Sequence, residues 1–238
     1  MTAIVVLVRR PLASPDGTPA ATLLGRCDDA ALRAAVALST RVTVVAAGPA
    51  EREDAALRHA LGRGAERAVR VWDPGLDGVD YQGVAQVLAA ASRRVGFDLI
   101  LGGERSDDEG CGAVGAAVAE ALAVPHLTQA LEVAIDGESA LVARRDAGHT
   151  RTLRLRLPAV VTVLRSGAPA RAEAERSVAI EALDLEALGI QAPALRPRRH
   201  CLGPATRVEP AEPLRRPTLL RRPDELIARL RSDRLLDP

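Results

Sequence analysis

The chain has 238 residues, of which 47% are hydrophobic, so it is long enough to bury the core of one large domain. Its formal net charge of +1 gives no field that would favour nucleic acid or an anionic membrane surface. The sequence contains no lysine, which excludes chemistry that needs a lysine ammonium. It has one Trp, one Tyr and one Phe, which leaves little for stacking a base or a flavin.

Cysteine usage and the lengths of the apolar runs predict the compartment. Three widely separated cysteines argue against a disulfide framework, and neither they nor the four scattered histidines have the spacing of a metal site. No apolar run approaches the length of a transmembrane helix, and the N-terminus lacks a signal-peptide pattern. We therefore expect a cytoplasmic protein without membrane insertion, without a bound metal and without a nucleic-acid partner.

Strand and helix patterns alternate through the first half of the chain. Continuous apolar runs predict strands at Ile4–Val8, Val42–Ala46, Ala68–Trp72 and Leu99–Leu101. Amphipathic stretches between and after these strands predict four helices. The first is capped by Asp28 or Asp29, the second has Pro49 in its first turn, the third starts at Asp80, and the fourth carries Val114. Strands without polar alternation, separated by helices, indicate a parallel sheet covered on both faces. The predicted fold class is α/β, with a doubly wound, mostly parallel, Rossmann-like sheet.

Beyond residue 125 the pattern changes to antiparallel strands. Leu131–Ile135 and Ala140–Arg144 flank the turn signal Asp136-Gly137, which predicts a β-hairpin. The run Arg151–Leu157 alternates strictly and predicts one apolar and one arginine-lined face. Ala159–Leu164 then predicts another buried strand. The hairpin is therefore expected as an insertion from which the chain returns to the core sheet.

Proline recurs throughout the last fifth of the chain. We predict residues 1–190 as an α/β nucleotide-binding core and residues 191–238 as a proline-rich C-terminal arm packing on a partner subunit. Within the arm, Asp224–Arg231 predicts a short helix with its apolar side chains turned inward. Such an arm is stable only when it lies on another surface, and the alternative is a loosely ordered C-terminus.

The most informative segment follows the fourth predicted strand. Gly103–Gly115 is a Gly- and Asp-rich loop that opens a helix, an arrangement by which α/β proteins place backbone N–H groups and a helix dipole around a phosphate. Its glycines permit close backbone approach, and its Ser and Asp side chains can bind a ribose or a nearby arginine. The candidate contacts are Ser106, Asp108, Gly110, Gly112 and Gly115. The alternative is a purely structural loop.

Further candidates lie near the ends of predicted strands and at the start of this helix. Arg9 and Arg10 follow the first strand, where an arginine can pair with phosphate bidentately or simply lie on the surface. Ala47 and Gly48 end the second strand, where small residues leave room for an adenine or form an ordinary turn. Cys111 precedes the helix, which favours a thiolate, but no base accompanies it in sequence. We therefore predict no catalytic residue and no hydrolytic chemistry.

Three segments of the chain carry recognisable motifs in a fixed order. They are Asp98–Glu120, Arg145–Val163 with its Leu-Pro-x-Val-x-Thr ending, and Gly203–Val208 with its Pro-x-Thr-x-Val element. Together they resemble the beta subunits of electron-transfer flavoproteins over nearly the whole chain. The first is similar to the family's AMP-binding loop and helix, the second to its diagnostic hairpin, and the third to the arm of bacterial members.

This resemblance implies a beta subunit on an adenine-nucleotide-hydrolase-like core, paired with an alpha subunit. It implies FAD mainly on the alpha subunit, and AMP, or in bifurcating members a second FAD, in the beta subunit. It also implies electron transfer from a flavin dehydrogenase to a respiratory or quinone-linked acceptor, with no catalysis by the beta subunit alone. Arg9 and Arg10 are the cations expected to favour an anionic reduced flavin. The AMP contacts carried over are Leu7, Ala47, Asp108, Gly110, Cys111, Gly112, Val114 and Gly115.

The chain departs from the family pattern in three places. The usual Asp-Gly-Asp-Thr loop is Asp108–Cys111, so the hydroxyl and the second carboxylate are replaced. The Asn-Pro segment before the first helix is Leu24–Cys27. The dehydrogenase-recognition segment is Ser166–Arg176, with Ala174 at the position of the leucine anchor and no lysines. Because such an anchor is typically a binding hot spot, we expect a divergent bacterial member with a different redox partner.

Two alternatives from other functional classes stay open at this point. One is a stand-alone adenine-nucleotide sensor, against which the inserted hairpin and the proline-rich arm argue. The other is a scaffold subunit that binds no nucleotide, which the altered Asp108 loop favours.

Overall fold

Continuous apolar runs form the centre of a nine-stranded sheet in the computed structural model. The structure describes residues 2–11, 23–108, 110–164, 178–195 and 222–233. Within them the strands are β1 (Ile4–Leu7), β2 (Val42–Ala47), β3 (Arg67–Val71), β4 (Leu99–Gly103), β5 (His126–Asp136), β6 (Ser139–Asp146), β7 (His149–Arg156), β8 (Ala159–Val163) and β9 (Ile180–Leu183). Their order is β7-β6-β5-β8-β4-β1-β2-β3-β9, and every neighbouring pair is parallel except β5–β6 and β6–β7.

Helices cover both faces of this sheet. They are α1 (Arg26–Leu38), α2 (Ala50–Gly62), α3 (Tyr81–Val95) and α4 (Val114–Leu122), with α5 (Pro223–Ser232) near the C-terminal end of the described residues. Buried side chains of α1 and α2 join one apolar cluster with the sheet, and those of α3 and α4 join a second cluster. The predicted doubly wound, mostly parallel α/β fold with an antiparallel excursion is therefore confirmed.

The side chains of β1 and of Val8, the residue after it, show why an unbroken apolar run forms a central strand. Ile4, Val6 and Val8 lie in the α1/α2 cluster, whereas Val5 and Leu7 lie in the α3/α4 cluster. All five are buried. Burying a side chain of this size is worth about 1.5–3 kcal/mol, so a strand with two covered faces gains stability from every residue.

The strand order reverses at β1. The chain runs from β1 through β2 to β3 on one side, and then returns to place β4 on the other side of β1. Leu7 on β1 is paired with Val45 on β2 and with Gly102 on β4, so the carboxyl ends of these three strands lie together. In sheets of this type a ligand binds in the crevice beyond the strand ends at such a reversal.

The hairpin forms as predicted but with a shifted turn and a longer first strand. Asp136 pairs with Ser139, so the two turn residues are Gly137, with φ +58°, and Glu138 rather than Asp136-Gly137. β5 begins at His126 because its first residues pair with β8. After an irregularity in the register, the rest of the strand pairs with β6. The chain returns from β7 to the core as β8, whose side chains are all buried.

The alternation predicted for Arg151–Leu157 is present, but its apolar side is only partly covered. Leu153 is paired with Val142 on β6 and Leu155 with Ala140, so these side chains lie on the same face of the sheet. Leu153 nevertheless remains 37% exposed because β7 is the edge strand of the sheet.

Two helix starts differ from the prediction. The N-cap of α1 is Gly25, so the predicted caps Asp28 and Asp29 lie in the first turn instead. A side chain distant in sequence replaces them, because Asp107 accepts a hydrogen bond from the Arg26 N–H at 2.9 Å. Pro49 is the N-cap of α2 rather than a residue of its first turn.

The other predicted helix start is confirmed. Asp80 is the N-cap of α3, and its side chain accepts hydrogen bonds from the Gln82 and Gly83 N–H groups. Gly96 ends the helix with φ +79°, as its sequence position predicts.

One strand of the sheet was missed by sequence reasoning. β9 has only four residues and includes Glu181, so it has too short an apolar run to be recognised, yet it pairs in parallel with β3. The chain divides into two compact units, residues 1–198 and 199–238. Leu195 is buried, so the first unit continues past residue 190, where the predicted core ends.

The second unit is described only around α5. Leu226 and Ile227 on this helix, which we predicted to face inward, are about half exposed in the chain by itself. Packing of residues 191–238 on a partner stays a prediction. The segments Ser166–Arg176 and Gly203–Val208 lie outside the described residues. No helix in the described ranges combines the length and apolar character needed to cross a bilayer.

Candidate functional site

An ion pair joins the loops that follow β1 and β4. Arg9 Nη2 lies 2.8 Å from Asp108 Oδ2, although the two residues are 99 positions apart in sequence. Of the two partners predicted for the carboxylates of this loop, a ribose or a nearby arginine, the structure shows the arginine. Because β1 and β4 are neighbours at the reversal of strand order, this pair lies in the crevice where such sheets bind ligands.

The loop after β4 is shaped by its own side chains and by two glycines. Ser106 Oγ accepts a hydrogen bond from the Gly110 N–H at 3.2 Å, so the hydroxyl organises the loop in this structure. Gly110 and Gly112 have φ values of +68° and +64°, which side-chain-bearing residues rarely adopt. A Cβ on Gly112 would also lie 2.8 Å from the Glu104 carbonyl oxygen, so the loop passes close to the end of β4 only because this residue is glycine.

The start of α4 is held against the sheet by close packing. A Cβ on Gly115 would lie 2.3 Å from Thr162 Cγ2 on β8, so only glycine allows this approach. Thr162 Oγ1 in turn donates a hydrogen bond to Glu104 Oε2, which also accepts one from the Gln129 N–H at 2.9 Å. Sequence reasoning missed these three supporting residues because their partners lie on separate strands.

The N-terminus of α4 is open to an anion among the described residues. Its N-cap is Ala113, which makes no side-chain cap hydrogen bond. The three residues before it, Gly110 to Gly112, are exposed. Backbone N–H groups at such a helix start carry a partial positive charge that favours a phosphate. The residues therefore fit one phosphate group at this point.

A carboxylate that sequence reasoning did not select lies beneath the crevice. Asp28 in the first turn of α1 accepts hydrogen bonds from the Arg9 N–H, at 3.1 Å, and from the Gly103 backbone. Burial raises the pKa of this carboxyl to about 7, against the two backbone hydrogen bonds, and the neighbouring Asp107 charge adds to the increase. Asp28 therefore changes its charge near neutral pH.

A second buried carboxylate, Glu53, accepts a hydrogen bond from the backbone of Arg10 in the loop after β1. Glu53 in the first turn of α2 is fully buried, accepts a hydrogen bond from the Arg10 N–H at 3.0 Å, and pairs with Arg52 Nε at 2.6 Å. Arg52 Nη2 also donates to the Ala47 carbonyl at 3.3 Å. Arg52 and Glu53 thus line the turn after β2, beside Gly48, where small residues were predicted to leave room for an adenine.

The remaining titratable candidates provide no catalytic constellation in the described ranges. Cys111 is exposed and is not in a disulfide, whereas Cys27 is buried. Burial lowers the pKa of His126, and the Glu104 carboxylate opposes this shift. Within the described residues, no group of three or more His, Cys, Asp or Glu side chains is placed to hold a metal ion.

All the predicted contacts lie at the carboxyl side of the sheet. They are on or after β1, β2 and β4 or at the start of α4: Leu7, Arg9, Ala47, Ser106, Asp108, Gly110, Cys111, Gly112, Val114 and Gly115. Two clefts lie elsewhere, one of about 450 Å³ beside Asp73 and Ile190 and one of about 430 Å³ beside Asp98 and Pro158. Neither cleft is lined by a predicted contact, so we assign the candidate site to the crevice.

Comparison with known proteins identifies the family. The model of the electron transfer flavoprotein domain matches residues 22–188, which cover all the described strands except β1. Of the candidate site residues, Leu7, Arg9 and Arg10 lie outside the match. The chain belongs to the electron transfer flavoprotein domain family. The resemblance to its beta subunits, found from the motifs, is confirmed by individual relatives.

Three of those relatives show the range of the similarity. The electron transfer flavoprotein subunit beta of Mycobacterium tuberculosis is 39% identical over 131 residues, 55% of this chain and 49% of the relative. The subunit beta of Sus scrofa is 37% identical over 128 residues, 52% of this chain and 49% of the relative. Protein FixA of Azorhizobium caulinodans is 35% identical over 155 residues, 60% of this chain and 55% of the relative. In these alignments the chain spans about half the length of the relatives it matches.

Proposed function

We propose that this chain is the beta subunit of a heterodimeric electron-transfer flavoprotein. In this proposal it passes electrons from a flavin dehydrogenase to a respiratory or quinone-linked acceptor and acts in the cytoplasm. FAD is held mainly by the alpha subunit, and AMP, or a second FAD, is held in the crevice of this chain. Bound FAD supplies the electron-carrying chemistry, and the protein supplies its position and its electrostatic surroundings.

The open start of α4 is the observation that carries the nucleotide part of the proposal. Gly110 and Gly112 turn the loop so that the backbone before Val114 is exposed, and Gly115 holds the helix close to β8. A phosphate placed there gains backbone hydrogen bonds and the favourable end of the helix dipole without needing a lysine. This suits a chain whose cations are all arginines.

The arginines after β1 serve the flavin part of the proposal. A cation near a reduced flavin stabilises its anionic form through simple Coulomb attraction. The charge of Arg9 is largely balanced by Asp108 at 2.8 Å. Arg10, whose backbone is held by Glu53, therefore carries this role in the proposal.

A non-binding scaffold subunit is the second candidate, and one observation favours it. Backbone N–H groups of Arg9 and Arg10 and of the α1 start already donate to Asp28, Glu53 and Asp107. If the start of α4 were not used either, the crevice would be filled by the chain's own carboxylates and would hold no ligand.

Co-purification with an alpha-type subunit from the same organism tests the proposal. We expect a stable one-to-one complex with a flavin absorption spectrum, and mass spectrometry of the released ligands should find FAD and AMP in equal amounts. Two FAD per pair would select the second-FAD form. A complex without a second nucleotide would favour the scaffold, and absence of any complex would contradict the proposal.

A pair of glycine variants tests the site itself. Gly112→Leu places a side chain against the Glu104 carbonyl, whereas Gly137→Leu, at a similar positive φ in the hairpin turn, meets open space. We expect the first variant to lose the nucleotide of the beta subunit and the second to retain it, with similar backbone strain in both. Equal retention would show that the nucleotide is not held by this loop.

A further inference from the structure

The ion pair between Arg9 and Asp108 is unevenly buried. The side chain of Asp108 is 9% exposed, whereas that of Arg9 is 35% exposed. The carboxylate is therefore the inner partner, and part of the Arg9 side chain is exposed. A carboxylate that accepts a hydrogen bond from an arginine uses the same guanidinium donors that a phosphate oxygen would use, because both are anionic oxygen acceptors.

Carboxylates of this chain also occupy the neighbouring donors. The Arg9 N–H donates to Asp28, the Arg10 N–H to Glu53, and the Arg26 N–H at the start of α1 to Asp107. On the side of the crevice formed by β1 and α1, these backbone N–H groups therefore already donate to carboxylates of the chain itself. Asp107 is paired with Arg26 Nε at 3.2 Å, so the like charge that a phosphate meets beside Arg9 comes chiefly from Asp108, and it offsets the attraction to the guanidinium.

We infer that Asp108 is an internal competitor that holds Arg9 away from the phosphate of an anionic nucleotide and thereby weakens its binding. This inference rests on the proposed function, because it concerns the same crevice. Phosphate binding at the start of α4 releases Arg9 from Asp108 and transfers the guanidinium to the ligand. Asp108 therefore sets the affinity of the site, whereas the backbone at α4 sets its position.

Removal of the competing charge tests the inference. Asp108→Asn keeps the shape of the side chain but removes its charge, so we expect AMP and inorganic phosphate each to bind about tenfold more tightly, since one like charge a few Å away is lost from a partly screened site. Binding is measured by calorimetry on the full chain, in its complex where it purifies as one, after bound nucleotide has been removed. Asp108→Ala is the second variant if the amide form folds poorly.

The control variant removes the carboxylate of an ion pair outside the crevice. Asp136 pairs with Arg154 at 2.8 Å in the exposed hairpin, so Asp136→Asn removes the same charge without touching the site. We expect no change in affinity for this variant. Arg9→Gln combined with Asp108→Asn should lose the gain, because the released guanidinium is then absent.

The outcomes separate the inference from the proposed function. If the wild-type chain binds AMP and Asp108→Asn binds it equally or more weakly, Asp108 positions Arg9 rather than competing for it, and the inference is overturned while nucleotide binding stands. A gain for AMP but not for inorganic phosphate also overturns it, because the effect then acts on the nucleoside. If neither protein binds AMP or phosphate, both the inference and the nucleotide part of the proposed function fail.

Discussion

At the scale of single residues, the crevice is governed by carboxylates whose partners are distant in sequence. Asp28, Glu53 and Asp107 each accept a backbone hydrogen bond from a segment at least 19 positions away. Such pairs leave no local spacing signal, so the sequence led to Asp108 and Arg9 but not to the carboxylates beneath them. Asp28 was identified only as a helix cap, because its burial depends on the loops that cover it.

Asp28 makes the stability of the fold depend on pH. The carboxyl has a pKa near 3.8 when the chain is unfolded and about 7 when it is folded, so the folded state holds a proton that the unfolded state has lost between these values. Its contribution to stability is therefore greatest at low pH, decreases as pH rises from about 4, and is fully lost above about 7. At 1.36 kcal/mol per pH unit, a difference of about 3 units between the two pKa values corresponds to a change on the order of 4 kcal/mol.

Urea unfolding from pH 5 to pH 8 measures this effect. Asp28→Asn should flatten the decline in unfolding free energy relative to the wild type, because the amide does not titrate. Asp77→Asn, a change at an exposed residue, is the control and should leave the slope unaltered. Parallel pH profiles for wild type and Asp28→Asn would show that the carboxyl does not titrate in this range.

At the scale of elements, the sequence predicted most of the sheet because both faces of its central strands are buried. The runs at β1, β2 and β8 need no context to be recognised, since every residue in them is apolar or small apart from Thr43 and Thr162. β9 was missed because pairing with β3 rather than its own hydrophobicity makes it a strand. The start of α1 was misplaced because its capping carboxylate comes from the loop after β4.

The placement of α4 depends on one glycine contact with β8. Gly115→Ala puts a methyl group 2.3 Å from Thr162 Cγ2, so either the helix start or the Thr162 side chain must shift. We expect a loss of about 1–3 kcal/mol in unfolding free energy, which is typical of overpacking a buried contact. Adding Thr162→Ser removes the obstructing methyl while keeping the hydroxyl that bonds to Glu104, and should recover much of the loss. Additive destabilisation in the double variant would show that this contact is not the cause.

At the scale of the whole molecule, we expect the α/β unit to form the fold and the C-terminal segment to contact a partner. The sheet and its four covering helices lie within residues 1–198, and α5 lies in the second unit with Leu226 and Ile227 about half exposed. The sequence indicated this division through its prolines, but it could not show what the second unit contacts, because that surface belongs to another chain in the proposal.

Truncation after Arg198 tests the separation. We expect the shortened chain to keep a cooperative thermal unfolding transition within a few degrees of the full chain, since its apolar clusters are retained. The same truncation should abolish co-purification with the alpha-type subunit. Undiminished recovery of the complex would mean that residues 199–238 do not hold the partner.

The most direct test of the central claim is an experimental structure of the co-purified complex in the presence of AMP. We expect the phosphate of the nucleotide at the start of α4, bonded to the backbone around Gly112, with Arg9 turned from Asp108 towards it. A crevice without nucleotide, with the Arg9–Asp108 pair intact at saturating AMP, would contradict it.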